Sequence, residues 1–235
     1  MDKNQMMRFI AKRVAGELTP GTLVNLGVGI PTLVAEYIAP DSDILLEGEN
    51  GVIGLGKTAF DVIDATSGKK PEEADDQVIN AGAGAAGIDA GASFFDSTTS
   101  FGLIRGGHVH TTVLGTMEVD EEGTLANYLI PGKKVAGMGG AMDLCNGVKE
   151  VIVATYHTMK GNPKILKKCR LPITAKRCVT KIVTEMGVFQ VTPQGIKVIE
   201  YNPEFTLEEI QRATEPELII PDDVKPTPHC YFEGL

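Results

Sequence analysis

The chain has 235 residues, a formal net charge of −9 and 43% hydrophobic residues, which fits one large globular domain or two small ones. The acidic balance argues against nucleic acid as the main partner, because phosphate binding needs clustered Lys and Arg. No apolar run approaches the ~20 residues of a membrane helix, and no secretory signal follows Met1, so we expect a cytoplasmic protein without a membrane partner.

The first half of the chain indicates alternating helices and strands. Its predicted elements are a helix at 5–18, a strand at 22–26, a glycine turn at 27–32, a helix at about 31–38 and a strand at 44–46. A polar surface loop is expected at 65–77. The small-residue run at 81–87 indicates either a flexible linker or a close-packed turn.

Short apolar runs separated by glycine turns continue through the second half of the chain. Residues 113–115 and 151–154 indicate buried strands, and 176–185 a further helix or strand. Thr206 and Glu209 have the spacing of a capping box at a helix start. This alternation predicts an α/β fold with a mainly parallel sheet. We expect a single domain at 1–220 and an extended or loose tail at 221–235.

The glycine turn after the first strand contains two candidates for anion binding, Gly27 and Gly29. It joins a strand to a helix, and a helix start leaves backbone N–H groups free for an anion. A tight turn between strand and helix explains the same residues. The local sequence does not choose between these two interpretations.

Glu49 is the main candidate for catalysis. It lies between Gly48 and Asn50-Gly51, directly after a short apolar strand, and ligands of open α/β sheets gather beyond the carboxyl ends of strands. A carboxylate on such a turn can attack a thioester, which gives an acyl anhydride and a thiolate that returns to the glutamyl carbonyl. A plain surface turn is the alternative, since Glu, Asn and Gly are common in turns.

Longer segments carry a family resemblance. Residues 48–56, GENGVIGLG, resemble the S-E-N-G-x-x-G-x-G segment of family I CoA-transferases. Four further segments are similar to the β chain of that family: NLGVGIP at 25–31, SFGLIRGGHV at 100–109, LANYLIPGK at 125–133 and GMGGAMDL at 137–144. Their order and approximate spacing also agree, so that the resemblance covers nearly the whole chain.

The resemblance implies a three-layer α/β/α fold and a separate α subunit that supplies much of the CoA site, usually in an α2β2 heterotetramer. It implies ping-pong transfer of CoA between a short-chain acyl-CoA (3-oxoacyl, acetyl or butyryl) and a carboxylic acid, through a glutamyl-CoA thioester on Glu49. Gly140 and Ala141 correspond to the family's backbone oxyanion donors. Gly139 and Asn50 are further candidates for oxyanion or substrate binding. No metal or other cofactor is expected, because the CoA thioester is itself the substrate.

Two departures from the family pattern affect these expectations. Gly48 stands where the family usually has Ser, which removes a hydroxyl that could orient the carboxylate of Glu49. The segment from about 57 to 90 is longer than is usual in the family. It follows the catalytic turn, so it either reshapes the acyl pocket or forms a surface loop.

The remaining candidates have structural alternatives. Arg105 is a candidate for binding CoA phosphate or an acyl carboxylate, and a buried ion pair is its alternative. His108 and His110 would share a strand face, but we favour structural histidines over a base or metal pair. Asp143 is expected to cap a helix or hold its turn. A solvated helix face is favoured over CoA phosphate binding for a basic cluster formed by Lys160, Lys164, Lys167 and Lys168. The four cysteines form no CxxC pair, and we expect reduced thiols.

Two other functions stay open at this stage. The first is an acyl-CoA hydrolase on the same scaffold, in which water resolves the intermediate. The second is a non-catalytic sensor of acyl-CoA or sugar phosphate. Net loss of thioester without transfer would indicate the hydrolase, and saturable binding without a covalent adduct would indicate the sensor.

Overall fold

The computed structural model describes residues 1–56, 75–80 and 85–235. Its α-helices are α1 (Lys3–Ala15), α2 (Ser97–Arg105), α3 (Ala141–Gly147) and α4 (Leu207–Arg212), and 3-10 helices lie at Ile30–Tyr37 and His229–Tyr231. Its strands are β1 (Leu23–Leu26), β2 (Leu45–Gly48), β3 (Val52–Leu55), β4 (Asp75–Ile79), β5 (Ala85–Ala86), β6 (Ile88–Phe94), β7 (Thr111–Leu114), β8 (Glu118–Asp120), β9 (Leu125–Ala126), β10 (Leu129–Ile130), β11 (Lys134–Val135), β12 (Glu150–Ala154), β13 (Thr158–Met159), β14 (Asn162–Pro163), β15 (Ile165–Leu166), β16 (Lys181–Thr184), β17 (Gly187–Thr192), β18 (Gly195–Tyr201) and β19 (Lys225–Pro226).

The largest sheet within the described residues has ten strands in the order β19-β18-β17-β16-β12-β7-β1-β2-β3-β6. Its centre, from β16 to β2, is parallel throughout. Antiparallel strands extend it at both ends, through β3 and β6 on one side and β17 and β18 on the other. The parallel centre confirms the predicted α/β fold.

Neighbouring residues of the central strands point into two different cores. Val24, Val113 and Ile152 pack with α1 and the 3-10 helix Ile30–Tyr37 in one core. The other core contains Leu114, Val151, Val153 and Ile182 together with apolar residues of α2, α3 and α4. Because side chains alternate across a strand, one sheet supplies both cores. Helices therefore cover both faces, as the three-layer expectation required.

Helix α1 begins two residues earlier than the apolar spacing predicts. Asp2 is its N-cap and accepts hydrogen bonds from the amides of Asn4 and Gln5, while the Gln5 side chain accepts one from the Asp2 amide. This capping box satisfies amides that the first turn leaves without partners. The capping box predicted at Thr206 and Glu209 is confirmed at the start of α4.

The segment from 57 to 90 is only partly described. Residues 57–74 and 81–84 lie outside the described residues, and with them most of the loop expected at 65–77. Asp75–Ile79, whose first three residues fall in that loop, instead form strand β4, which pairs with β5. Ladder hydrogen bonds to β5 override the polar composition that indicated a loop.

The C-terminal tail, expected to be extended or loose, contains an extended strand and is anchored to the rest of the chain. Strand β19 pairs with β18, and the Thr227 amide donates to the Tyr201 carbonyl at 2.8 Å. The ring of Phe232 packs on that of Phe9, with centroids 4.9 Å apart. Apolar burial against α1 holds the tail in place, while a domain boundary at residue 220 stays a prediction. Of the helices that the structure describes, none has the length and apolar character needed to cross a bilayer.

Candidate active site

Glu49 follows directly on the carboxyl end of β2, in the tight turn that joins β2 to β3. The Gly51 amide donates to the Gly48 carbonyl at 2.9 Å and closes this turn. Gly51 has φ 114°, a conformation that favours glycine. The structure therefore places the half-buried Glu49 where the sequence predicted it, beyond a strand end of the parallel sheet.

Gly48 makes room for the side chain of Asn50. A Cβ atom at position 48 would lie 2.7 Å from Asn50 Oδ1 and 3.1 Å from Leu55 Cδ1. A larger residue there would displace Asn50. The departure from the family's usual Ser therefore has a steric explanation in this chain.

The backbone around Gly140 contacts the carboxylate of Glu49 directly. The Gly140 amide donates to Glu49 Oε1 at 2.9 Å. A Cβ atom at Gly140 would lie 2.9 Å from both Cδ and Oε2 of Glu49, and one at Gly139 would lie 3.2 Å from Oε1. Glycine at these positions lets the backbone approach the carboxylate closely, and a backbone amide there can stabilise charge on its oxygens.

Ala141 and Asn50 have other partners in this structure. The Ala141 amide donates to the Met138 carbonyl at 2.9 Å, which closes the turn before α3. The Asn50 side-chain amide donates to the Ile79 carbonyl at 2.8 Å and ties the turn that carries Glu49 to β4. The structure thus brings Gly139 and Gly140 to Glu49, whereas Ala141 and Asn50 donate these hydrogen bonds elsewhere.

Burial raises the pKa of the Glu49 carboxyl group. The hydrogen bond from the Gly140 amide lowers this pKa, and the negative charge of Asp143 raises it. A carboxylate with reduced solvation holds its charge at higher free energy and is a stronger nucleophile than one in bulk water. Asp143 itself pairs with Arg105, with 2.7 Å between Asp143 Oδ1 and Arg105 Nε.

A second carboxyl group, Glu47, lies two residues before Glu49 and was not singled out from the sequence. Its side chain is buried and accepts hydrogen bonds from Asn25 Nδ2 and Ser100 Oγ, each at 2.9 Å. Burial above all, together with the charge of Glu49, raises the pKa of Glu47 to about 7, against the lowering effect of these hydrogen bonds. The available signal was a set of polar residues within apolar strands, at Asn25, Glu47 and Thr112.

The two glycines of the first turn have structural roles. The Gly27 amide donates to the Val113 carbonyl at 2.8 Å, so it is not free for an anion. Gly29 has φ 97°, and its carbonyl accepts hydrogen bonds from the amide and the hydroxyl of Thr32 at the start of the 3-10 helix. The tight-turn interpretation therefore accounts for both residues.

Arg105 pairs with Asp143 beside Glu49, and the two histidines lie at a different edge of the sheet. Arg105 forms an ion pair, as its structural alternative required, but its side chain is 64% exposed rather than buried. His108 and His110 line a cleft of about 400 Å³ together with Leu23, Leu45 and other residues at the starts of parallel strands. This is the edge of the sheet opposite the strand ends that carry Glu49. Asp143 does not cap α3, because Gly140 is the N-cap.

The basic cluster near residue 160 does not form a helix face. It spans strands β13, β14 and β15 and the residues after them, and Lys164 is buried. Burial lowers the pKa of Lys164 to about 8, and its ammonium group donates to the hydroxyl of Thr155. The prediction of a solvated helix was wrong because the strand pairings of this region override its composition.

Comparisons with known proteins show the family of this chain. The family model for coenzyme A transferase matches residues 8–213. The β chain of the acetate CoA-transferase of Haemophilus influenzae is 48% identical over 218 residues, covering 92% of this chain and 93% of that protein. One of the subunits of the succinyl-CoA:3-ketoacid coenzyme A transferase of Helicobacter pylori is 41% identical over 213 residues, covering 90% of this chain and 98% of that protein.

Solved structures show the same fold. The apoenzyme of an acyl-CoA transferase from Escherichia coli O157:H7 superposes with a TM-score of 0.74 at 22% identity, covering 100% of this chain and 46% of that chain. This likeness shows the fold, while the family match over most of the sequence confirms the family resemblance. The chain therefore belongs to the coenzyme A transferase family, and its similarity is to the β subunits of these enzymes.

Proposed function

We propose that this protein carries the nucleophile of a ping-pong CoA transfer, with Glu49 forming a covalent thioester with CoA. The observation that supports the proposal is the pairing of Glu49 with the Gly140 amide at the carboxyl edge of the parallel sheet. A surface turn would leave this carboxylate in solvent, whereas here it is half-buried and hydrogen-bonded across 91 residues of sequence.

The proposed chemistry has two steps on the same carboxylate. A Glu49 oxygen attacks the thioester carbonyl and the carbon–sulfur bond breaks. CoA departs as the thiolate, and a mixed anhydride between Glu49 and the acyl group is formed. The thiolate then attacks the glutamyl carbonyl, the substrate carboxylate leaves, and a glutamyl-CoA thioester remains. The acceptor acid completes the exchange by reversing these steps, so the acyl bond energy is conserved.

The Gly140 amide has a defined part in the second step. In that step, negative charge develops on the carbonyl oxygen of Glu49 itself. Gly140 N already lies 2.9 Å from Oε1 of that carboxylate, within the range at which a preorganised donor stabilises an oxyanion. One such donor is worth about 3–4 kcal/mol in other enzymes.

The finer assignments rest on the relatives. We propose an α subunit as the partner, because the similar proteins are named as single subunits of their enzymes. The α2β2 assembly is proposed from the family resemblance alone. Short-chain acyl-CoA donors and acids such as acetate, butyrate and acetoacetate are the proposed substrates. The four cysteines are free, which fits the reducing cytoplasm proposed as the location. That no metal or other cofactor is needed stays a prediction.

The proposal is tested by intact-protein mass after mixing the chain and its α partner with acetoacetyl-CoA and no acceptor. We expect an adduct of the mass of CoA that hydroxylamine removes. Glu49→Gln should form none while keeping the fold, since the Gln carbonyl can still accept from Gly140. Glu208→Gln, in the first turn of α4, is a matched control and should form the adduct.

Each contrary outcome has a definite meaning. An adduct in Glu49→Gln would assign the nucleophile elsewhere. Binding of acetoacetyl-CoA without any adduct in the native chain would reject the covalent mechanism and favour a sensor. Release of free CoA and acetoacetate without an added acceptor, through an adduct that water resolves, would favour the hydrolase.

A further inference from the structure

A buried row of polar side chains crosses three neighbouring parallel strands behind Glu49. Thr112 of β7, Asn25 of β1 and Glu47 of β2 are register partners in the sheet. Thr112 Oγ1 donates to Asn25 Oδ1 at 3.0 Å, and Asn25 Nδ2 donates to Glu47 Oε2 at 2.9 Å. Ser100 of α2 donates to Glu47 Oε1 at 2.9 Å and completes the row. All four side chains are buried, so each hydrogen bond replaces one that water would otherwise provide.

The row also connects, through helices α2 and α3, to Gly140, which contacts Glu49. Ser100 ties β2 to α2, and α2 packs closely on α3: a Cβ atom at Gly147 would collide with the Ile104 carbonyl. The residue before α3 is Gly140, which holds the Glu49 carboxylate. A continuous series of contacts therefore runs from Glu47 of β2 through α2 and α3 to Gly140, and from Gly140 back to Glu49, the residue that follows β2.

Among the described residues, the polar groups that contact Glu47 are neutral, and the one charged group that acts on it is Glu49. Asn25 from β1 and Ser100 from α2 donate hydrogen bonds to it, and the charged group acting on it is Glu49 in the turn. Burial above all raises the pKa of Glu47 to about 7, and the charge of Glu49 also raises it. Two neighbouring carboxyl groups that repel each other ionise in turn rather than together.

We propose that Glu47 is a positioning residue for the proposed nucleophile, Glu49: it fixes the end of β2 against α2, and its charge responds to whether Glu49 is a free carboxylate or a thioester. This inference rests on the proposed function. When Glu49 becomes a thioester it loses its negative charge, so the repulsion that favours the protonated form of Glu47 disappears. The pKa of Glu47 then falls, and Glu47 releases a fraction of a proton near pH 7, because burial, the largest cause of its raised pKa, persists. Thioester formation is consequently favoured by rising pH around the pKa of Glu47.

The test separates the charge of Glu47 from its role as a tether. In Glu47→Gln, the amide can donate to Ser100 Oγ while its carbonyl accepts from Asn25, so the row survives without a titrating group. In Glu47→Leu, both partners lose their acceptor. Glu185→Gln is a matched control, because Glu185 is another buried carboxyl group whose pKa is raised by burial, at the end of β16.

The experiment measures the fraction of chain carrying CoA at a fixed ratio of acetoacetyl-CoA to acetoacetate, from about pH 6 to pH 8, with the α partner present. We expect this fraction to rise with pH in the native protein and in Glu185→Gln, and to stay flat in Glu47→Gln. Glu47→Leu should form the adduct at least about tenfold more slowly. Circular dichroism and assembly with the α partner verify folding.

Two results would overturn the inference. Glu47→Gln with the pH dependence of the native protein would show that Glu47 does not sense the state of Glu49. Glu47→Leu that folds and reacts at the native rate would show that the tether does not position Glu49. If instead the native protein forms no adduct at any pH, the proposed function itself has failed, and that result is distinguishable from both.

Discussion

Replacing Gly140 by Ala should damage the active site without damaging the fold. Gly140 has φ −85°, which Ala adopts without strain. The added Cβ atom would lie 2.9 Å from Cδ and Oε2 of Glu49. Because those atoms end a flexible side chain, Glu49 can move away. The backbone of α3 does not need to shift, and the change affects the position of the proposed nucleophile, Glu49.

The magnitude follows from the contact that is lost. Moving the carboxylate away weakens the hydrogen bond that Gly140 N donates to Oε1 at 2.9 Å. Hydrogen bonds to charged groups contribute about 1.5–3 kcal/mol, which corresponds to a rate roughly 10- to 100-fold lower. Gly→Ala at a compatible φ stabilises the folded state by about 0.4–1 kcal/mol through the unfolded chain. We therefore expect slower adduct formation in a protein at least as stable as the native one.

The assay pairs the rate of CoA adduct formation with urea unfolding of the same sample. Gly102→Ala is the matched control, because a Cβ added at position 102 in α2 would meet no described atom within 4 Å apart from the adjacent residues and the backbone of its own helix. It should be stabilised by a similar amount and react at the native rate. Adduct formation at the native rate in Gly140→Ala would refute the reasoning, and so would a loss of stability, since it would mean that the backbone rather than Glu49 absorbs the clash.

Three further predictions concern stability. Gly51→Ala should lower the free energy of unfolding in urea by more than about 2 kcal/mol, because position 51 has φ 114° and the added Cβ would collide with the Phe95 carbonyl. A decrease of less than about 1 kcal/mol would contradict this. Arg13→Ala should cost about 3–5 kcal/mol, since it leaves the carboxylate of Glu200, now 2.8 Å from Arg13 Nε, without its partner; Arg13→Lys should recover part of the loss. Burial lowers the pKa of His157 from 6.5 to about 4. Between these two pH values the unfolded chain binds a proton that the folded chain does not. The free energy of unfolding should therefore fall by about 3 kcal/mol as the pH drops from 6.5 to about 4. That acid dependence should be smaller in His157→Gln by urea titration at each pH, and an unchanged dependence would show that another group causes it.

Local sequence patterns predicted many of the elements and the position of the proposed nucleophile, Glu49. The capping box at Thr206, the strand at residues 151–154 and the turn after residues 44–46 are each indicated by a pattern only a few residues long. Glu49 could be placed beyond a strand end because a short apolar run and a glycine turn flank it. The resemblance added Gly140, which the structure brings to Glu49. Apart from Gly140, these features were predictable because the residues that indicate each of them are close together in the sequence.

Only the tertiary structure decided which polar groups meet. The order of β7, β1 and β2 in the sheet puts Thr112, Asn25 and Glu47 in one row, and no local pattern encodes that order. The same order separates the two edges of the sheet and keeps His108 and His110 at the edge away from Glu49. Sheet order comes from the burial of whole strand faces in two cores. Hydrogen bonds between residues distant in sequence follow from that packing, so they could not be inferred before it was known.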